Sequence, residues 1–282
     1  MNGRIHFTKG HGTENDFVLL DDPDGALDLD AATVVALADR RAGIGGDGVI
    51  RAVRSRAAGV DAAADAPEWF MDYRNADGSL AEMCGNGVRV LAAHLHRAGH
   101  VTADRFALLT RAGVRAVEIL AHPATDGAPW SVRVGMGPAR LPKTNRQVEI
   151  AGLRLPVTDV DMGNPHAVAF LPEGTDLAEL DLTRRPALDP EPAHGANIEL
   201  VSTRGPRHVA MRVHERGVGE TRSCGTGVAA VAVAAALRAG DESREPWTVD
   251  VPGGRLEVGW TQTGEVTLTG PAQLVADGTT LI

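Results

Sequence analysis

Both cysteines of this chain open the same kind of phrase, Cys84-Gly85-Asn86-Gly87-Val88 and Cys224-Gly225-Thr226-Gly227-Val228. Each phrase runs into an Ala/Val/Leu-rich stretch that closes on Ala-Gly, Val88 to Gly99 and Val228 to Gly240. A glycine turn leading into such a stretch predicts a helix with the cysteine at its N-terminus. Backbone N–H groups and the helix dipole at that point favour a thiolate and can hold a carboxylate. Two thiols in matching settings predict one acid and one base facing each other across a substrate.

The phrases lie about half the chain apart, and the echo continues downstream. Thr110-Arg111-Ala112-Gly113-Val114 follows the first helix and Val251-Pro252-Gly253-Gly254-Arg255 the second, each placing a glycine turn (Gly113, Gly254) before an alternating strand. This predicts two related α/β halves, with a small-ligand site in the cleft between them. The Pro/Gly-rich stretch from Ala121 to Pro129 is the clearest linker, so the halves are placed at residues 1–127 and 128–270, with 271–282 returning to the first half.

The 282 residues suffice for two ordinary cores. No apolar run approaches the roughly 18–20 residues of a membrane span, and the start shows no signal-peptide pattern, which predicts a cytoplasmic protein without a membrane partner. A formal net charge of −9 and the lack of a long basic run argue against nucleic acid and leave a small polar substrate as partner. Neither cysteine belongs to a metal-binding spacing, and His94 and His96 point to different sides of the expected helix, so no metal site is expected. Gly43 to Gly48 fits GxGxxG but follows a helix rather than a strand, which argues against a nucleotide loop.

Along the chain, Ile5 to Asp21 reads as strand, turn (Gly10 to Asp16) and strand. Ala31 to Arg41 reads as a helix capped by Asp30. Arg54 to Glu68 reads as an excursion without chemistry, and Trp69 to Asn75 as extended chain ending in a turn through Ser79. Pro172 to Pro192 reads as irregular connection plus a short helix, and Asn197 to Val201 and Val209 to His214 as strands.

Three further phrases place polar groups at the ends of apolar strands: Met162-Gly163-Asn164-Pro165-His166, Gly195-Ala196-Asn197-Ile198-Glu199 and Val213-His214-Glu215-Arg216-Gly217. Together with Asn75-Ala76-Asp77-Gly78-Ser79, Glu82-Met83-Cys84-Gly85-Asn86-Gly87, Gly12-Thr13-Glu14-Asn15-Asp16-Phe17 and the second cysteine phrase, they resemble the diaminopimelate epimerase family over nearly the whole chain. The resemblance implies an isomerase of lysine and peptidoglycan-precursor biosynthesis that interconverts LL- and meso-diaminopimelate without a cofactor. It implies two pseudo-symmetric α/β (α+β) domains, each a curved, mostly antiparallel sheet around a central helix, and a homodimer. Cys84 and Cys224 would be catalytic, supported by His166 and Glu215. Asn15, Asn75, Asn164, Asn197, Glu215 and Arg216 would bind substrate, with Gly85, Asn86, Gly225 and Thr226 at the helix openings. Some relatives carry Gln where this chain has Gly48.

The chemistry is consistent with that resemblance. Epimerisation removes a proton from one face of an α-carbon and returns one to the other, so two groups are needed. The only lysines, Lys9 and Lys143, stand in no setting that suggests a Schiff base. Backbone N–H groups at the two helix openings can instead stabilise enolate charge on the carboxylate, and Arg216 can take a second carboxylate bidentately.

Overall fold

The computed structural model describes residues 4–60 and 63–281. Two compact units emerge: one runs to Val134 and resumes at Gly270, and the other is Gly135–Thr269.

In the first unit, β1 (Ile5–Gly12) and β2 (Asn15–Asp21) form an antiparallel hairpin. The expected turn contracts to Thr13 and Glu14, both at positive φ (51° and 62°), the backbone a two-residue hairpin turn requires. Helix α1 (Ala31–Ala38) has the expected Asp30 cap, whose carboxylate accepts from the Thr33 N–H at 2.7 Å. It stops three residues before the expected Arg41, because the Asp39 carboxylate accepts from the backbone N–H of Arg41 and Ala42 and offers the chain a turn instead. The remaining elements are β3 (Gly48–Arg54), β4 (Trp69–Asn75), α2 (Gly85–Arg97), β5 (Arg105–Thr110), β6 (Gly113–Ala121) and β7 (Trp130–Pro138). Residues 54–68 leave the sheet through a short 3₁₀ turn and return where the Ser55 N–H donates to the Glu68 carbonyl at 2.7 Å. Part of that excursion, 61–62, lies outside the described residues.

The second unit contains β8 (Gln147–Ile150), β9 (Leu153–Asp161), β10 (Pro165–Phe170), β11 (Ala187–Asp189), β12 (Asn197–Gly205), β13 (His208–Glu215), β14 (Gly219–Thr221), α3 (Gly225–Ala239), β15 (Trp247–Val251) and β16 (Gly254–Trp260), and β17 (Glu265–Thr280) starts in it and continues into the returning segment of the first. The division of the chain falls inside β7 rather than in the preceding Pro/Gly-rich stretch, since Val132 and Val134 of β7 pair with Ile119 and Val117 of β6.

Pairing within each unit repeats in order. In the first, β1–β2 is antiparallel, β2–β3 parallel, β3–β4 antiparallel, β4–β5 parallel and β5–β6 antiparallel. In the second, β9–β10, β10–β12, β12–β13, β13–β15 and β15–β16 follow the same sequence of directions. Parallel neighbours need a crossover, and in both units α2 or α3 supplies the second one. Helix α2 packs against β1, β2, β3, β4 and β6, and α3 against β9, β10, β12, β13, β15 and β16, so each sheet, mostly antiparallel, surrounds its own helix. Gly85 to Leu95 are buried without interruption in α2, as are most of the first three turns of α3.

Register turns this repetition into matched positions. Phe17 lies opposite Gly48, and Gly48 opposite Asn75; His166 lies opposite Asn197, and the β12–β13 register carries Asn197 to Glu215. Hence Phe17 matches His166, Gly48 matches Asn197, Ile50 matches Glu199, and Asn75 matches Glu215. The glycines expected to precede alternating strands start β6 and β16, at φ 94° and 145°.

Candidate active site

Each helix begins one residue after its cysteine. Cys84 and Cys224 are extended cap residues (φ −139° and −122°) whose side chains do not cap their own helices. The first intrahelical bonds run from the Val88 N–H to the Cys84 carbonyl and from the Val228 N–H to the Cys224 carbonyl, both 2.9 Å. First-turn N–H groups of an α-helix have no intrahelical carbonyl and point out of its end, which is where Gly85, Asn86, Gly225 and Thr226 lie. Neither cysteine is in a disulfide; Cys84 is half-buried and Cys224 buried.

The third residue of each phrase after the cysteine shows why glycine stands there. A Cβ on Gly87 would come within 2.7 Å of Met71 Cε and 3.0 Å of Ile50 Cδ1, and one on Gly227 within 2.8 Å of Glu199 Oε1. The two helices descend onto matched sheet positions, an isoleucine under one and a glutamate under the other.

An asparagine two residues before the matched Phe17 and His166 braces each opening, one as acceptor and the other as donor. Asn15, at the start of β2, accepts through Oδ1 from Asn86 Nδ2 at 3.1 Å and from Cys84 Sγ at 3.5 Å. Asn164, just before β10, donates through Nδ2 to Thr226 Oγ1 at 3.3 Å, and that hydroxyl lies 3.5 Å from Cys224 Sγ. Asn15 is held in turn by Asp47, which accepts from its Nδ2 at 2.6 Å. Asn75 ends β4, donates to Ser79 Oγ at 3.0 Å, and leads into Ala76, whose N–H donates to the Asp47 carbonyl at 3.1 Å.

Around Cys224 the expected residues form one connected group. His166 Nε2 is 3.1 Å from Asn164 Oδ1, and its Nδ1 is 2.6 Å from Glu199 Oε1, with both side chains fully buried. Asn197 Nδ2 reaches the Pro165 carbonyl at 3.4 Å, and its Oδ1 accepts from the Arg216 N–H at 2.9 Å. The exposed Arg216 guanidinium donates to the His194 carbonyl at 3.0 Å. Glu215 accepts from Thr221 Oγ1 and is hydrogen-bonded to Cys224. Burial pushes the Glu215 carboxyl up, with the Glu199 charge adding to it. Burial also pushes the Cys224 thiol well up, reinforced by Glu215 and Glu199, so Cys224 is a protonated thiol at neutral pH.

Two residues not assigned to the site from sequence belong to this geometry. Glu199 is one: parallel pairing of β10 with β12 brings it to His166, and its second oxygen has no hydrogen-bond partner among the described residues. Arg89 is the other, fully buried one turn into α2, donating to Asn86 Oδ1 at 3.0 Å and to the Gly85 and Pro271 carbonyls. Burial pulls its guanidinium down to about 10, partly offset by the charge of Cys84, so it remains a cation at neutral pH. Glu199 closes the Gly195–Glu199 phrase and Arg89 follows the first cysteine phrase, but their burial and partners are tertiary facts.

The surroundings of Gly48 leave no room for a side chain. A Cβ there would meet the Arg74 carbonyl at 2.4 Å and Tyr73 Cε2 at 2.6 Å, so backbone and the Tyr73 ring already fill the place. Lys9 is committed to an ion pair with Asp16 at 2.5 Å, and Lys143 is exposed.

Known proteins resemble this chain in sequence and in fold. The diaminopimelate epimerase family model matches residues 7–142 and 158–275. Diaminopimelate epimerase of Streptomyces coelicolor is 55% identical, covering 99% of this chain and 96% of the relative. That of Thermobifida fusca is 50% identical, covering 97% of each. Among solved structures, a hydroxyproline epimerase from Agrobacterium vitis covers 98% of this chain and 91% of its own with TM-score 0.65 at 15% identity. A phenazine biosynthesis protein of the PhzF family from Bacillus anthracis covers 99% and 100% with TM-score 0.70 at 14% identity. At such identities these two show a shared fold. A family model spanning most of the chain and relatives at half identity over nearly its full length establish that this chain belongs to the diaminopimelate epimerase family, a family of isomerases.

Proposed function

We propose that the chain interconverts LL- and meso-diaminopimelate by two-base proton transfer between its cysteines and the substrate α-carbon, without a cofactor. The observation that carries this reading is the repeated opening: a cysteine before the first turn of a buried helix, braced by an asparagine, at matched positions of two repeats. Cys84, once its thiol has given up the proton it donates to Asn15 Oδ1, acts first as the thiolate, taking the α-proton of LL-diaminopimelate and becoming a thiol again. Cys224, protonated at neutral pH, donates its proton to the opposite face and becomes the thiolate; the reverse reaction exchanges the roles. First-turn N–H groups of Gly85, Asn86, Gly225 and Thr226 hold the reacting carboxylate as enolate charge develops, a contribution on the order of 3 kcal/mol per donor in comparable sites. Glu215, bonded to Cys224, and His166, held by Glu199, support that thiol as its charge changes. Arg216 takes the distal carboxylate, with Asn15, Asn75, Asn164 and Asn197 completing the grip on the unreacting centre.

On this reading the enzyme works in the cytoplasm, as a homodimer, in the biosynthesis of lysine and peptidoglycan precursors. Among the described residues no helix is long and apolar enough to cross a membrane.

Proton NMR of LL-diaminopimelate in deuterium oxide with the reduced protein tests the reading. Loss of the α-proton signal together with appearance of the meso isomer is expected. A folded protein with both thiols reduced that exchanges no α-proton would overturn it. Arg216→Ala separates the substrate assignment from the mechanism: turnover of diaminopimelate that survives this change would point to an amino acid without a distal head.

A further inference from the structure

His96 sits in the last turn of α2, and in sequence its neighbour in kind is His94, which faces elsewhere. The fold gives it different companions within the same unit. Asp104 lies just before β5 and His122 just after β6, so the antiparallel hairpin brings both to the same end of the strand pair. His122 Nε2 is 2.9 Å from Asp104 Oδ1 and His96 Nε2 is 3.6 Å from the same oxygen. One ligand atom from each of the three residues lies within 4.8 Å of the others.

We propose that His96, Asp104 and His122 form a binding site for a divalent transition-metal ion of the zinc class. Zinc bonded to nitrogen and oxygen at roughly 2.0–2.1 Å in tetrahedral geometry sets its ligand atoms about 3.3 Å apart. The observed 2.9 and 3.6 Å bracket that edge. His96 Nε2 is shielded from solvent and has no hydrogen-bond partner among the described residues, a cost that a bound ion removes. The cluster is also held in place. Trp130 packs against both imidazoles, with ring centroids 5.4 Å from His96 and 5.0 Å from His122, and the imidazoles lie 4.7 Å apart at 63°. The Asp104 carbonyl accepts from the Ile119 N–H at 2.8 Å, fixing its backbone to β6. Asp104 and His122 are partly exposed, leaving the fourth coordination position open to water. Such an ion ties the last turn of α2 to the β5–β6 hairpin. At 1.5 Å per residue it lies about 18 Å along the helix from Cys84, so it is a structural tie distinct from the thiol chemistry.

Zinc also binds thiolates, and the test has to tell the two apart. Chelator-dialysed, reduced full-length protein is titrated with Zn²⁺ against a chromophoric chelator, and with Co²⁺ while its absorption spectrum is recorded. His122→Gln and Asp104→Asn are measured alongside, with circular dichroism to confirm their fold. The expected result is one ion per chain, a cobalt spectrum without thiolate charge-transfer bands, affinity weakened about tenfold or more in both variants, and a Zn²⁺-dependent rise in Tm that His122→Gln abolishes. Equal affinity in the folded variants, thiolate charge-transfer bands, or no binding at roughly 100 μM Zn²⁺ would each overturn the proposal.

Discussion

The two helix openings share one backbone frame and carry opposite electrostatics. Beneath the first, the matched sheet positions are Phe17 and Ile50, both fully buried hydrocarbons, and Asn75 stands at the strand end. Beneath the second, the same positions are His166, Glu199 and Glu215. Near Cys84 the buried ionised group is a cation, Arg89; near Cys224 the charges are carboxylates that push its thiol up. An unlike charge favours a thiolate and like charges a thiol. On the proposed reaction, this difference suits the second opening to the acid and the first to the base, the asymmetry that two opposite proton transfers require.

If the openings are two halves of one acid–base pair, losing either sulfur removes the reaction. Cys84→Ala and Cys224→Ala should each lower kcat/KM for epimerisation by about 10²–10⁴, followed by meso formation in the NMR assay. One variant keeping more than about a tenth of the parent rate would reduce the pair to a single working thiol.

A sharper probe asks which sulfur is charged at rest. Iodoacetamide at neutral pH should modify Cys84 about tenfold faster than Cys224 or more, read by peptide mass spectrometry. Glu199→Gln removes one of the charges that raise the Cys224 thiol, so its pKa should fall. Cys224 then labels faster, and the alkaline limb of the forward pH profile, where Cys224 must still hold its proton, moves to lower pH. Preferential labelling of Cys224 in the parent would invert the assignment of base and acid.

What could be read in the sequence followed local chemistry. Cysteine-glycine phrases, the Asp30 cap and the Gly113 and Gly254 turns all act within a few residues, and each stands where expected. The match of Asn75 with Glu215 was hidden, because the long excursion between β3 and β4 has only a short turn between β12 and β13 as counterpart and the two residue types differ. Glu199 was passed over beside Asn197, since only the parallel β10–β12 pairing turns it toward His166. The companions of His96 lie at the two ends of the β5–β6 hairpin, well separated in sequence, and left no spacing to find.

The helices differ at their far ends too, and acid should expose it. His94 is buried in α2, with neither ring nitrogen hydrogen-bonded to a described residue, and burial pulls its pKa down to about 4 from 6.5. The matched residue of α3 is Ala234. A depressed histidine is neutral in the native state and protonated in the unfolded one between these values, so stability is lost as pH falls from about 6.5 toward about 4, by an amount on the order of 3 kcal/mol. Comparing Tm at pH 6.5 and 4.5, values on either side of most of that window, His94→Leu should show a smaller drop than the parent. Parallel curves would show that another group governs the acid limb.

The smallest expected effect separates packing from chemistry at the two glycines. In Gly87→Ala the new methyl meets Met71 Cε at 2.7 Å, the free end of a flexible side chain, and Ile50 beside it. In Gly227→Ala it meets Glu199 Oε1 at 2.8 Å, the oxygen that holds His166. Overpacking of either kind costs about 1–3 kcal/mol, and the two variants should show comparable losses of Tm. Their kinetics should diverge: Gly87→Ala keeps the alkaline pH limb of the parent, whereas Gly227→Ala displaces Glu199, loosens the His166 contact and shifts that limb. Matched pH profiles in the two variants would mean that the carboxylate under α3 does no more than the isoleucine under α2, and the electrostatic difference between the openings would then have no part in the reaction.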